Sequence, residues 1–359
     1  MRGKTLKNVP INRYIDIILF LFLLIFPMLF SQFRVELMGK TMVYMLFALS
    51  LDLIWGYAGL MSMGHAVLFG VGGYILGISY TLKDGIPEYM RRVGIENIPF
   101  FFKPLLNTNV AFILSIVLAG AVAFFLGYFI FSSKINGVFF SLVTLALAEI
   151  FSTFISNQSN YTNGSNGLES LPRELFGYRF NLNEMYYVVF IFLLLVYLFC
   201  RWLMSSRFGK TLEGIRENEA RLTFMGYNPT NFKIAIFVIS GMIAGLAGAL
   251  YIPMNNFISP SDIGVTLSTY VLVWVAIGGT GNLTGALLGT MGLYWLQILL
   301  SEKFSDLWLL TLGVLIILVV FFIPKGVVGV LLDHQYQKRA QKIVNKSEED
   351  SAASVEKEE

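Results

Sequence analysis

Residues 110–132 read VAFILSIVLAGAVAFFLGYFIFS, 23 consecutive positions without a charged side chain. A helix of that length rises about 35 Å, and about 20 apolar residues suffice to cross the hydrocarbon core of a bilayer. The rest of the chain repeats the pattern. Ten crossings are expected, at roughly 15–30, 38–56, 60–80, 110–132, 137–157, 185–204, 233–252, 265–279, 284–300 and 307–323. The expected fold class is therefore all-α, a polytopic membrane protein of about ten transmembrane helices. Composition agrees: 56% of residues are hydrophobic and 14% charged, against about a quarter charged in a soluble domain. The runs at 60–80 and 265–279 are rich in glycine and are the two expected to be broken or re-entrant. Irregular backbone survives at membrane depth only where protein or a water-filled cavity covers it.

Orientation follows from the basic residues. With the N-terminus inside, 17 of the 26 Lys and Arg fall in cytoplasmic stretches and 9 in outer ones. Ten spans then place both termini in the cytoplasm. The expected organisation is an N-terminal tail at 1–14, a transmembrane domain at 15–324 and a cytoplasmic, disordered polar tail at 325–359. External loops are expected at 81–109 and 158–184, and a cytoplasmic segment at 205–232. No small-x-small cleavage pattern follows the first apolar run, which reads as a membrane helix and not as a cleaved leader.

Several chemistries find no support. The triplets Gly3-Lys4-Thr5, Gly39-Lys40-Thr41 and Gly209-Lys210-Thr211 lack the earlier glycine of a phosphate-binding loop, so no means of binding ATP is evident. The only histidines are His65 and His334, and the only cysteine is Cys200, too few for a zinc site or an internal disulfide. A net charge of +3 gives no reason to expect nucleic acid. Cys200 reads as a small buried hydrophobe, and His65 as a packed or pore-lining residue.

Other residues carry more. The acids inside the apolar runs are Asp16, Asp52 and Glu149. Intramembrane acids are functional candidates by default. Asp52, His65, Ser141, Thr144 and Glu149 are the candidate pathway or buried polar residues; positions 141, 144 and 148–149 share a helical face expected to turn inward. Gly73 and Gly77, Gly241 and Gly245, and Gly281, Gly285 and Gly289 recur at four-residue spacing and form grooves where helix backbones approach closely. Either packing within this bundle or contact with a partner would use them.

The segment 205–232 reads SSRFGKTLEGIRENEARLTFMGYNPTNF. An amphipathic helix is expected from about Gly209 to Phe224, followed by Gly226 and Pro229. It reads either as a surface helix or as a coupling helix that docks on a motor protein, with Glu213, Arg216, Glu217, Glu219, Ala220, Gly226 and Pro229 as its coupling residues. An ion-coupled secondary transporter and a passive channel are more distant alternatives, for neither would need such a segment; a membrane enzyme would need a nucleophile, metal or acid/base cluster, and none is visible.

IRENEARLTFMGYNPTNFKIAIFVISGMIAGLAGALYIP, DLIWGYAGLMSMGHAVLFGVGGYILG, NGSNGL and YVLVWVAIGGTGNLTGALLGT resemble segments of ABC permeases for branched-chain amino acids and urea. The resemblance covers about Leu51 to Pro324. MGYNPTNFK, WVAIGG and the long outer loop look closer to the urea permease subunit. One departure concerns the E-A-A-x3-G loop pattern: Glu219-Ala220 is followed by Arg221, and Gly226 comes one residue late. The resemblance implies half of a translocation pathway in a cell (inner) membrane. It implies a second homologous permease, two ABC ATPase subunits that bind the ATP, and a soluble substrate-binding protein, with no cofactor on this chain. It implies urea as the solute, with branched-chain amino acids as the alternative. Urea is neutral and needs only hydroxyls, amides and carbonyls, whereas an amino acid asks for charges or helix N-termini; few intramembrane charges lean toward urea.

Overall fold

The computed structural model describes residues 10–303, apart from Asp84, Asn136 and Ser170, together with Gly313 and Val314. The expected tenth span at 307–323, the tail at 325–359 and most of the tail at 1–14 lie outside the described residues.

Ten long helices make up the described bundle. They are α1 (Pro10–Leu29), α2 (Gln32–Asp52), α3 (Ala66–Leu82), α4 (Thr108–Ser132), α5 (Val138–Asn157), α6 (Leu182–Ser205), α7 (Arg207–Phe224), α8 (Pro229–Asn255), α9 (Val265–Gly278) and α10 (Leu283–Lys303). Among the described residues, six segments are long and apolar enough to cross a membrane, and three shorter apolar helices accompany them. The protein is an all-α, multi-pass membrane protein, as the apolar runs require.

Helices α2 and α8 form the buried centre. Almost every residue of α2 from Met42 to Asp52 is inaccessible, so its polarity alternates with no face and its apolar moment is small. Helix α8 packs between α3 and α4 through its small residues. A Cβ on Gly245 would lie 2.4 Å from Ala119 Cβ of α4, and one on Gly241 2.5 Å from Ala123 Cβ. On the other side Gly72 of α3 abuts Gly245 O. Helices α9 and α10 meet in the same way, where a Cβ on Gly285 would sit 2.4 Å from Gly278 O and one on Gly289 2.3 Å from Trp274 O. The four-residue glycine spacing thus serves packing inside this chain. Gly73 and Gly77 receive Ile258 and Leu168. Gly281 departs from the expected groove: with φ +78° it belongs to the turn between α9 and α10.

The two glycine-rich runs are interrupted. The expected span at 60–80 begins as a helix only at Ala66; a π turn at Leu53–Tyr57 is followed by non-helical backbone through residue 65. A second irregular stretch at 256–264 precedes α9. It pairs with residue 168 through Leu168 N–H to Ile258 O at 2.8 Å and Ile258 N–H to Leu168 O at 3.1 Å. Ile258 and Ile263 are buried, so this stretch is part of the core.

The bundle has two distinct ends. At one, the segments at 81–109 and 158–184 fold together around a hairpin of β1 (Glu174–Leu175) and β2 (Tyr178–Arg179). Lys83 Nζ lies 2.5 Å from the buried Glu174 carboxylate. Helix α7 occupies the other end. Helix α1 starts there, since Arg201, in the last turns of α6, bonds Asp16 at 2.6 Å.

Candidate functional site

Three acids were expected within the apolar runs, and they have three different environments. Asp16 is neutralised internally: Arg201 donates to one oxygen and the Thr284 hydroxyl to the other at 2.5 Å. Asp52 is buried at the end of α2, where its Oδ1 accepts from Gly281 N–H at 2.7 Å. Glu149 is exposed. Ser141, Thr144 and Ala148 of α5 do turn inward, as their shared face suggests, but the next residue rotates about 100° away. The expectation that Glu149 faces the interior of this chain is corrected on that ground.

The inward residues of α5 hold the interrupted backbone. Ser141 Oγ donates to Met61 O at 2.7 Å, and Met63 N–H donates to Thr144 Oγ1 at 3.0 Å. From α9, Ser268 Oγ accepts from Ala66 N–H at 3.0 Å. Buried backbone polar groups need partners, and here three hydroxyls on two neighbouring helices supply them. His65 closes this region. Its Nε2 lies 3.0 Å from Ser50 Oγ and 3.1 Å from Ser240 Oγ, and Phe47 stacks on the ring at 5.6 Å. Both serine protons are already committed, to Phe47 O and Ser50 O, so the imidazole proton sits on Nε2. His65 is a buried junction of α2, α8 and the entry to α3, not a pore-lining group.

Helix α7 reaches this interior. Gly226 has φ +86° and Pro229 opens α8, so the expected stop and restart are both present. Asn218 has extended backbone (φ −160°, ψ 93°) and divides α7 in two, its side chain accepting from Arg221 N–H at 3.0 Å. Leu222 of the second piece then folds back to Gly214 of the first. Arg216 leaves α7 for the bundle: its guanidinium donates to Gly56 O, its stem packs on Gly59, and Nη1 lies beside Gly281. One side chain thus touches the π turn after α2 and the α9–α10 turn, next to Asp52.

The remaining coupling candidates separate. Glu213, Glu217, Ala220 and Gly226 are exposed, and Pro229 is buried. Glu219 was expected to face a partner; instead its carboxylate is 2.7 Å from the buried Lys233 Nζ of α8. Reading by charge also missed the apolar tip of this segment, where Phe224, Met225 and Tyr227 are all exposed. Their signal was three large apolar residues beside Gly226 in an otherwise polar stretch.

A sequence profile described as branched-chain amino acid transport system / permease component matches residues 33–320. The chain belongs to this family. Among its relatives, the high-affinity branched-chain amino acid transport system permease protein LivM of Salmonella typhimurium is 24% identical over 326 residues, 84% of this chain and 71% of that one. A probable branched-chain amino acid transport permease protein LivM of Methanocaldococcus jannaschii is 25% identical over 80% of this chain and 90% of its own. The corresponding permease protein LivH of Escherichia coli is 24% identical over 83% and 94%. No solved structure matches the chain. Family membership and the apolar spans make this a transport permease component of the cell (inner) membrane. These relatives are named for branched-chain amino acids, and none of the three is named for urea.

Proposed function

We propose that the chain is one permease half of an ATP-driven importer of branched-chain amino acids. A second permease of the same family completes the pathway, two separate ATPases act beneath α7, and a soluble binding protein docks on the hairpin end. The observation that carries this reading is the course of Arg216. A transporter driven from outside the membrane needs a rigid connection between its docking helix and its pathway, and Arg216 joins α7 to the π turn at Gly56, to Gly59 of the interrupted backbone and to the α9–α10 turn at Gly281. At the opposite end a cavity of about 450 Å³, lined in part by Lys83, Arg173 and Arg179, offers a charged surface to a soluble partner.

Urea remains the second reading, favoured by the WVAIGG and MGYNPTNFK phrases. The first of these is a packing element: Trp274 is buried and its carbonyl abuts Gly289, while Gly278 abuts Gly285. Residues committed to the α9–α10 contact say little about a solute. Vesicles holding the complete complex, supplied with binding protein and ATP, test the choice. Labelled leucine, isoleucine and valine are expected to accumulate and urea is not; the reverse result would replace the substrate.

A further inference from the structure

We infer that the exposed stripe Glu149, Thr153 and Asn157 on α5 lines the solute pathway against the second permease, and that Glu149 receives the solute's ammonium group. The inference rests on the proposed importer function and deepens it.

Helix α5 is the least buried of the six long apolar spans. An outer helix facing lipid shows apolar side chains to it, and α4 and α6 do so: Ile113, Val117 and Phe125 on one, Ile191, Leu195 and Leu198 on the other are exposed. Helix α5 differs. Glu149 is the twelfth of its 20 residues, so several residues separate it from either end. That is too far for a short carboxylate to reach the interface, and a carboxylate facing hydrocarbon is strongly disfavoured. Among the described residues no ion pair or hydrogen bond involves it. Thr153 and Asn157, at the next two steps of the same face, are exposed as well.

A second helix continues the polar surface. Ser152 Oγ donates to Pro260 O at 3.1 Å and sits beside Gly264, the residue before α9. Helix α9 buries Ser268 to bond Ala66 but leaves Thr266 and Thr269 exposed. Thr269 donates to Val265 O within its own helix, so the demand comes from Glu149: a carboxylate at mid-helix, with Thr153, Asn157, Thr266 and Thr269 exposed toward one end of the two touching helices, calls for water or a polar partner on that side. A second permease bounding a wet path satisfies this, and lipid does not. Within such a path the one acid offers its charge to an ammonium, and the flanking Leu142, Ile150 and Phe154 offer apolar surface to a branched side chain. The chemistry suits a zwitterion with an aliphatic side chain better than a neutral diamide.

The test uses the complete complex in membranes. The single native thiol, Cys200, is buried and gives a low background. Glu149→Cys is treated with a cationic trimethylammonium methanethiosulfonate and compared with Phe125→Cys on the lipid-facing side of α4. Glu149→Cys is expected to react at least tenfold faster, with leucine and binding protein slowing it. Glu149→Gln is expected to assemble normally and lose at least tenfold in leucine uptake, with Glu149→Asp recovering part of it. Reaction no faster than at Phe125→Cys, or full uptake by Glu149→Gln in a complex whose wild type carries leucine, overturns this inference alone. A wild type that carries urea and no amino acid overturns the substrate reading and the ammonium role together, while the labelling, read without solute, still decides whether the stripe is wet.

Discussion

Asp52 Oδ1 accepts a hydrogen bond from Gly281 N–H at 2.7 Å, which ties the last residue of α2 to the turn between α9 and α10 across 229 positions of sequence. Arg216 reaches the same place, its guanidinium donating to Gly56 O and lying beside Gly281. The Asp52 carboxylate satisfies a backbone donor in a tight turn, next to the point where the guanidinium enters from α7. Asp52→Asn keeps an oxygen for the Gly281 N–H. Asp52→Ala orphans the N–H, which costs roughly 1–3 kcal/mol. We expect Asp52→Asn to keep wild-type thermal stability to within about 1 kcal/mol in detergent and Asp52→Ala to fall below it. Equal melting of the two would show that the bond to Gly281 contributes nothing.

The hydroxyl clamp makes a second prediction. Thr144→Val preserves shape but leaves Met63 N–H without its acceptor, again a loss of roughly 1–3 kcal/mol. Ser141→Ala removes only one donor to a carbonyl and is expected to cost less. Hydrogen exchange should rise at residues 61–66 in Thr144→Val and change little at the hairpin end. Uniformly raised exchange would mean that the clamp is not local.

The glycine contacts make a third. Gly245→Leu places a branched side chain where a Cβ alone would lie 2.4 Å from Ala119 Cβ, whereas Gly292 has no neighbouring atom within 4 Å of that position. Overpacking of this kind costs typically 1–3 kcal/mol and at times more. Gly245→Leu should lower the yield of folded protein, and Gly292→Ala should not. Normal folding of both would assign the α4–α8 contact a looser geometry.

A fourth concerns the exposed apolar tip of α7. Phe224→Ser combined with Met225→Ser removes two large exposed side chains and nothing buried. The bundle should melt as the wild type does, while co-purification of the ATPases drops severalfold. Undiminished ATPase binding would move the docking surface to the exposed charges Glu213 and Glu217.

Much of this architecture is legible in the sequence because a bilayer imposes it. Span positions follow from runs such as 110–132, and the end of α7 and the start of α8 follow from Gly226 and Pro229. The inward face of Ser141 and Thr144 follows from helical periodicity, and the glycine spacing announces the close contacts of Gly241, Gly245 and Gly285. What is less visible depends on partners distant in sequence. Arg201 and Lys233 stand at the edges of apolar runs and look like interfacial cations, yet they meet Asp16 and Glu219. Arg216 is one basic residue among several on a polar helix, and only the fold brings it to Gly56. Asn218 breaks α7 although the surrounding pattern is continuous. The outward turn of Glu149 hinges on a single residue of rotation, which a face defined by 141, 144 and 148 leaves ambiguous.

In the proposed importer, Arg216 transmits motion from α7 to the interrupted backbone. The most direct test is solute-stimulated ATP hydrolysis by the assembled complex carrying Arg216→Ala, with the exposed Glu217→Ala as control. Both side chains are exposed, but only Arg216 touches Gly56, Gly59 and Gly281, so the control should hydrolyse as the wild type does. Arg216→Ala should bind its ATPases and binding protein normally, yet lose at least tenfold of the stimulation together with uptake. Stimulation and uptake at wild-type levels in Arg216→Ala would show that Arg216 does not couple α7 to the pathway.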